Sequence, residues 1–193
     1  MLRANSASSP ALRLALLALV AAPAMACSPP WTVIKTSGPP STLANAGPIT
    51  VAFDYSKLQV GGMNEQAFVE SKKQKEPNYD QEWAKLKASF EDSVVGGLGQ
   101  TWARGAVKGA PAAGVGLVVY PTSLSMGHYM VVASTATSVS TMLDWTVNGQ
   151  VTEEIQVSGA QSATVYTPSV FQHIPPIGSH IGNLAGRYLG KRQ

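Results

Sequence analysis

One cysteine serves the whole chain, and it stands at position 27. With a single thiol no intrachain disulfide can form, so the fold must be stabilised by its own apolar core. The same cysteine closes a distinctive leader. Arg3 and Arg13 are the only charges before it. Leu14 to Ala22 is an apolar run, Pro23 interrupts it, and the small residues Ala24 and Ala26 stand just ahead of Cys27. A basic start, a short apolar core and an A-x-A end describe an export signal. The run is shorter than the roughly 20 residues of a bilayer span. Residues 1–26 are therefore expected to be removed rather than folded.

The stretch "AMAC", residues 24–27, resembles the lipobox of bacterial lipoproteins, with Ala24 where Leu is usual. The resemblance implies that the Cys27 thiol receives a diacylglyceryl group, that cleavage precedes it and that the new amino group is acylated. The alternative is plain secretion, with cleavage after Ala26 and a free, reactive thiol. Two or three acyl chains make a lasting anchor where one binds only reversibly. Ser28, rather than Asp, follows the cysteine. By resemblance to enteric lipoprotein sorting, this implies the outer membrane, with the domain facing the periplasm or the cell surface.

Loss of the leader changes the charge. The full chain has 14 basic and 11 acidic residues. Removing Arg3 and Arg13 leaves 12 against 11, so the basic character belongs largely to the leader. The charge is therefore no argument for nucleic acid, which needs Lys/Arg clustered on one face, and no nucleic-acid partner is expected.

Residues 27–47 are expected to be a lipid-anchored tether. "SPPWTVIKTSGPPSTLANAGP", 28–48, carries two Pro-Pro pairs and little charge. Such segments are extended, at about 3.1 Å per residue, and twenty residues would reach roughly 60 Å. Trp31, Val33 and Ile34 stand out as a patch that could lie on the folded domain or serve as a partner-binding motif.

Residues 48–193 are the size of one domain. "PITVAFDYS", 48–56, reads as a strand. Gly61-Gly62 marks a turn, Asn64 can cap a short helix carrying Ala67 and Phe68, and "KKQKEPN" reads as a solvated loop. In "YDQEWAKLKASFEDSVVGGLG", Trp83, Leu86, Phe90 and Val94 fall on one helical stripe. Asp80 is expected as its N-cap and Gly96-Gly97 as its stop. Residues 101–114 read as a loop, 115–124 as a buried strand, and 129–147 as one bent strand or two pieces.

Asn148-Gly149 invites a two-residue hairpin turn. That turn would set the apolar face of Leu143, Trp145 and Val147 against the wrong face of Val151, Ile155 and Val157. A three-residue loop or a bulge is expected instead, because register follows the buried face. Glu153 and Glu154 alternate faces and cannot act as a pair. Glu153, which shares parity with Val151 and Ile155, is the one expected to turn partly inward. A closing helix is expected after Pro175-Pro176, capped at Ser179, with Arg187, Lys191 and Arg192 at its negative end.

The fold class is therefore α+β (or α/β): one mixed sheet with two main helices on one face. "ITVAFDYS", the Trp-bearing helix, the meander around "MLDWTVNGQ" and the closing "IGNLAGRYLG" resemble uncharacterised envelope domains. Their architecture is similar to the amino-terminal domain of TolB and the periplasmic domain of curli-secretion lipoproteins. The resemblance implies no site residues.

No G-x-S-x-G elbow, P-loop or helical His pair is present, and no cofactor or metal site is expected. The expected role is a non-enzymatic envelope lipoprotein that binds or assembles with an envelope protein, its one modified residue being Cys27. The alternative is a small ligand-binding or hydrolytic lipoprotein using Asp54, at the end of the first strand, with His128 or His173. All three histidines (128, 173 and 180) read first as surface or loop residues.

Overall fold

The computed structural model describes residues 29–111, 113–127, 129–130 and 133–193. In chain order the elements are β1 (Thr32–Lys35), β2 (Ile49–Phe53), β3 (Gln59–Val60), β4 (Met63–Asn64), α1 (Glu65–Lys73) and α2 (Tyr79–Thr101). There follow β5 (Ala106–Lys108), β6 (Val115–Ser125), β7 (Tyr129–Met130), β8 (Ala133–Ser134), β9 (Ala136–Val147), β10 (Gln150–Ser162) and α3 (Val170–Lys191). The main sheet runs β1-β10-β9-β6-β2-β5, with β3 and β4 added beside β6. The pairs β6–β9, β9–β10 and β10–β1 are antiparallel, whereas β2 runs parallel to both β6 and β5. This is the mixed sheet of an α+β domain. α2 and α3 pack together over one face, above Val119, Val139, Leu143, Trp145, Ile155 and their neighbours.

The β9–β10 hairpin resolves the register conflict in a way that combines both options. The turn has two residues, Asn148 and Gly149, both at positive φ, and Gln150 pairs with Val147. That is the turn favoured by strand twist, so the expected longer loop is absent. The shift comes instead from a bulge at Thr152, after which Glu153 faces Trp145 and Ile155 faces Leu143. An extra residue in one strand moves every later side chain to the other face. Burial of Ile155 and Val157 beside Leu143 and Trp145 more than offsets the lost pairing.

α1 begins as expected, with the Asn64 side chain accepting from the Ala67 amide at 2.8 Å. Its partner α2 carries the expected stripe, and Trp83, Leu86, Phe90 and Val94 are all buried. Its ends differ from expectation. The N-cap is Asn78, and Asp80 sits in the first turn. Gly96-Gly97 does not stop the helix, which continues to Thr101. The physical reason lies across the interface. A Cβ on Gly97 would collide with the Ser179 backbone of α3. Reciprocally, Gly178 and Gly182 of α3 abut the Phe90 and Val94 carbonyls of α2. Glycine in mid-helix costs about 1 kcal/mol, and here it permits backbone contact between the two helices.

α3 also starts earlier than expected. Ser169 and Gln172 form a reciprocal capping box. Pro175 and Pro176 therefore lie inside the helix, and Ser179 is mid-helix. Val170, Ile174, Ile177 and Ile181 make a continuous buried stripe. Burying that stripe outweighs the backbone donors the prolines lack. The segment 101–114 is not all loop either, since β5 extends the sheet beyond β2. Residues 129–147 divide into the short β7–β8 ladder and the long β9.

The largest departure is the amino-terminal arm. Residues 29–47 do not stand off as a tether. β1 pairs with β10, and Trp31, Leu43 and Ala46 are buried in the core. Trp102 Nε1 donates to the Gly47 carbonyl at 2.9 Å, and Arg104 Nη1 donates to the Ala46 carbonyl at 2.6 Å. The apolar residues scattered among the prolines find partners, and their burial overcomes the extended, solvated preference of the composition. Of the two roles open to Trp31, Val33 and Ile34, Trp31 lies on the domain, while Val33 and Ile34 remain exposed on the edge strand.

Candidate functional site

The most concentrated chemistry in the described residues surrounds Glu153, which is fully buried. The bulge at Thr152 turns it to the helical face, where it meets two segments, the amino-terminal arm and the end of α3. Its Oε1 accepts from Ser37 Oγ at 2.5 Å, Ser41 Oγ at 2.9 Å and Arg192 Nη2 at 3.1 Å. Its Oε2 accepts from Tyr188 Oη at 2.7 Å and Arg192 Nε at 2.9 Å. Burial pushes this carboxyl up, but hydrogen bonds from Arg192, Ser37, Tyr188 and Ser41 outweigh burial and hold it at about 2. Tyr188 is pushed well up by burial and by the carboxylate beside it.

Arg192 also donates to Thr36 Oγ1 at 2.8 Å and to the Gly38 carbonyl at 3.2 Å. Tyr188 is flanked by two tryptophans. Trp31 meets it edge-on at 5.6 Å and Trp145 stacks at 6.5 Å, both between ring centroids. Lys191 Nζ lies 4.8 Å from the Trp31 ring centroid, within cation–π range. The cluster is an ionic and aromatic clamp that locks the arm to β10 and to the end of α3. A carboxylate with five donors has no lone pair to spare for a substrate proton, so the arrangement is suited to holding rather than to proton transfer.

Arg192 was expected to serve the helix end, and its main partner is instead Glu153. The inward turn of Glu153 was expected from parity, whereas its partners were not. Ser37 and Ser41 lay in a stretch that read as a tether, and no spacing rule links them to residue 153.

Of the other expected site residues, Asp54 and His173 are each engaged with separate partners. Asp54 directly follows β2 and accepts from the Ser56 amide at 2.8 Å. Its carboxyl is held down by the hydrogen bonds of Ser56, with Lys57 nearby. It is a turn residue satisfying local amides. His173 is not a surface residue: it is fully buried, with Nδ1 at 2.7 Å from Thr137 Oγ1 and Nε2 at 2.6 Å from the Thr167 carbonyl. α3 starts early and carries His173 inward, and both ring nitrogens are occupied there. His180 is exposed. His128 and Cys27 lie outside the described residues. Among the described residues no group of three or more His, Cys, Asp or Glu is placed to hold a metal ion. No described helix is long and apolar enough to cross a membrane.

A cleft of about 30 Å³ opens beneath α2, lined by Tyr55, Leu58, Trp83, Leu86, Phe90 and Ile174. That is room for a water or two rather than for an organic ligand.

No family model matches the chain, and no curated protein matches it. Several solved structures are similar in chain path. One is PelC from Paraburkholderia phytofirmans, solved as a dodecamer: 12% identical, covering 79% of this chain and 97% of that one, with a TM-score of 0.42. A single-substitution variant of that PelC gives 13% identity, coverage of 80% and 95%, and a TM-score of 0.37. A candidate lipoprotein from Caulobacter crescentus gives 14% identity, coverage of 53% and 81%, and a TM-score of 0.33. At these values the likeness is loose, and it transfers no residue role from one chain to another.

Proposed function

We propose that this chain is a lipid-anchored envelope protein whose domain binds or assembles with other envelope components rather than catalysing a reaction. The observation that carries the reading is the lone cysteine at the end of an export-type leader, four residues ahead of the buried Trp31. An anchor at Cys27 gives that cysteine a role, and the folded arm gives the anchor a rigid attachment. The outer membrane is the proposed location, on the sorting resemblance at Ser28.

The non-catalytic part rests on side-chain chemistry. Acyl, phosphoryl and metal-assisted reactions each need several groups held together with free lone pairs or protons. Here Glu153 is saturated, His173 has both nitrogens engaged and Asp54 serves its own turn.

Two measurements test the reading. Cys27→Ser should move the protein from the membrane fraction to a soluble or unprocessed form. Equal partition of variant and wild type after a high-salt wash overturns the anchor. The purified protein should not turn over a panel of esters and phosphoesters. Turnover that disappears in His128→Ala overturns the non-catalytic reading.

A further inference from the structure

We infer that one end of the sheet, carrying Met63, Val165, Tyr166 and Phe171, rests in the headgroup region of the bilayer that holds the anchor. The inference rests on the proposed acylation of Cys27 and adds to it an orientation and a contact surface.

Register fixes which parts share that end. Ser162, closing β10, pairs with Ala136 at the start of β9, and Ser138 of β9 pairs with Ser125 at the close of β6. Next to Ser125, Leu124 pairs with Val60, and Val60 pairs with Met63. The β10–α3 connection, which holds Val165 and Tyr166, projects from the same end, and Phe171 opens α3 there. Tyr166 is 87% exposed and Val165 61%, and Phe171 and Met63 are also exposed. Large apolar side chains gathered this way mark a contact surface more strongly than scattered ones do. Tyrosine, with an apolar ring and a polar tip, suits a water–lipid boundary.

The anchor leaves toward the same end. β1 runs antiparallel to β10 with Thr32 opposite Gln156, so Trp31, Pro30 and Pro29 head toward Ser162. Pro29 and Pro30 still lie beside Gln156, Val157 and Ser158. Five residues separate Thr32 from Cys27, a reach of about 17 Å. Six separate Gln156 from Ser162, about 20 Å of strand. A chain of that reach is long enough to set Cys27 close to the level of the apolar tip and too short to carry it far beyond. With Trp31 clamped by Tyr188 and Lys191, little slack remains to lift the domain away. The opposite edge strand, β5, lies five strand spacings from β1, roughly 24 Å across the sheet.

The test uses the full acylated protein in vesicles of phosphatidylethanolamine and phosphatidylglycerol. The chain has no cysteine besides Cys27, so Tyr166→Cys and Val107→Cys each introduce one free thiol for a fluorescent label. Both positions are exposed, and folding is not at stake. The label at 166 should be quenched several-fold more strongly by a nitroxide lipid than the label at 107, with a blue-shifted emission and shielding from aqueous iodide. Equal quenching at the two positions, or full access of iodide at 166, overturns the orientation. Shielding from iodide without quenching by the lipid points to a second protein on the tip, and overturns it too. Flotation with the vesicles separates the two readings. A protein that floats with position 166 wet defeats only the orientation, whereas a Cys27→Ser variant that floats equally well defeats both.

Discussion

Glu153 and Arg192 face one another through two parallel hydrogen bonds, Nε to Oε2 at 2.9 Å and Nη2 to Oε1 at 3.1 Å, with the carboxylate wholly shielded from water. The fork geometry is the one in which arginine recognises carboxylate best. Removing the arginine leaves a buried carboxylate with only the hydroxyls of Ser37, Ser41 and Tyr188, and losing one partner of a buried ion pair typically costs about 3–5 kcal/mol. Arg192→Ala should lower the stability measured by urea unfolding by that order. Arg192→Lys should recover only part of the loss. A change below about 1 kcal/mol, the worth of an exposed pair, would place the clamp in that weak class.

The same pair sets an acid limit. The Glu153 carboxyl falls from its ordinary value of 4.5 to about 2 in the fold. A depressed carboxylate contributes stability that is fully present above pH 4.5 and is lost as pH falls toward 2. The shift corresponds to roughly 3 kcal/mol. Glu153→Gln should be less stable at pH 7, and the wild-type advantage should vanish between pH 4.5 and 2. A constant difference across that window would remove Glu153 as the source.

Asp144 has the opposite sign. It lies on the other face of β9, directly across from Glu154. Burial, then repulsion from Glu154, pushes its carboxyl up, against the pull of Lys57 and Lys35. Its Oδ1 has no hydrogen-bond partner among the described residues. A raised carboxyl disfavours the charged form, so the native state loses stability as pH rises through the folded value. Asp144→Asn should therefore raise the Tm at pH 7, with the gain shrinking as the pH is lowered toward 3.8. A lower Tm for the variant at pH 7 would show that the charge is a net asset.

The contact between α2 and α3 predicts contrasting effects from one kind of change. A Cβ on Gly182 would strike the Val94 carbonyl, whereas a Cβ on Gly190 meets nothing within 4 Å. Gly182→Ala should destabilise by about 1–3 kcal/mol, the usual cost of overpacking. Gly190→Ala should stabilise by up to about 1 kcal/mol through helix propensity. Similar thermal midpoints for the two variants would contradict the close approach.

The elements that could be read from sequence were those whose signal is local. Trp83, Leu86, Phe90 and Val94 announce a buried helical face by spacing alone, and Asn64 announces its cap. The bulge at Thr152 was legible because two apolar faces would otherwise disagree. What stayed hidden depends on distant neighbours. Gly97 looks like a stop signal until Ser179 is placed against it, and Pro175 looks like a boundary until the Ser169 cap is seen. Of the clamp, the inward Glu153 was visible by parity. Its donors Ser37, Ser41 and Arg192 were not, because no periodicity connects residues so far apart in the chain.

That separation has a consequence for how the molecule is completed. Thr36 and Arg192, joined by a hydrogen bond, stand 156 positions apart. In a chain made from its amino terminus, the arm is complete long before the residue that fastens it. Until Arg192 is in place, Glu153 lacks its charged partner, and the arm lacks the donor to Thr36 and Gly38. The arm, first to be made, is thus among the last parts to be secured. A chain that stops before residue 192 carries its unfinished state as a Glu153 carboxylate without its arginine.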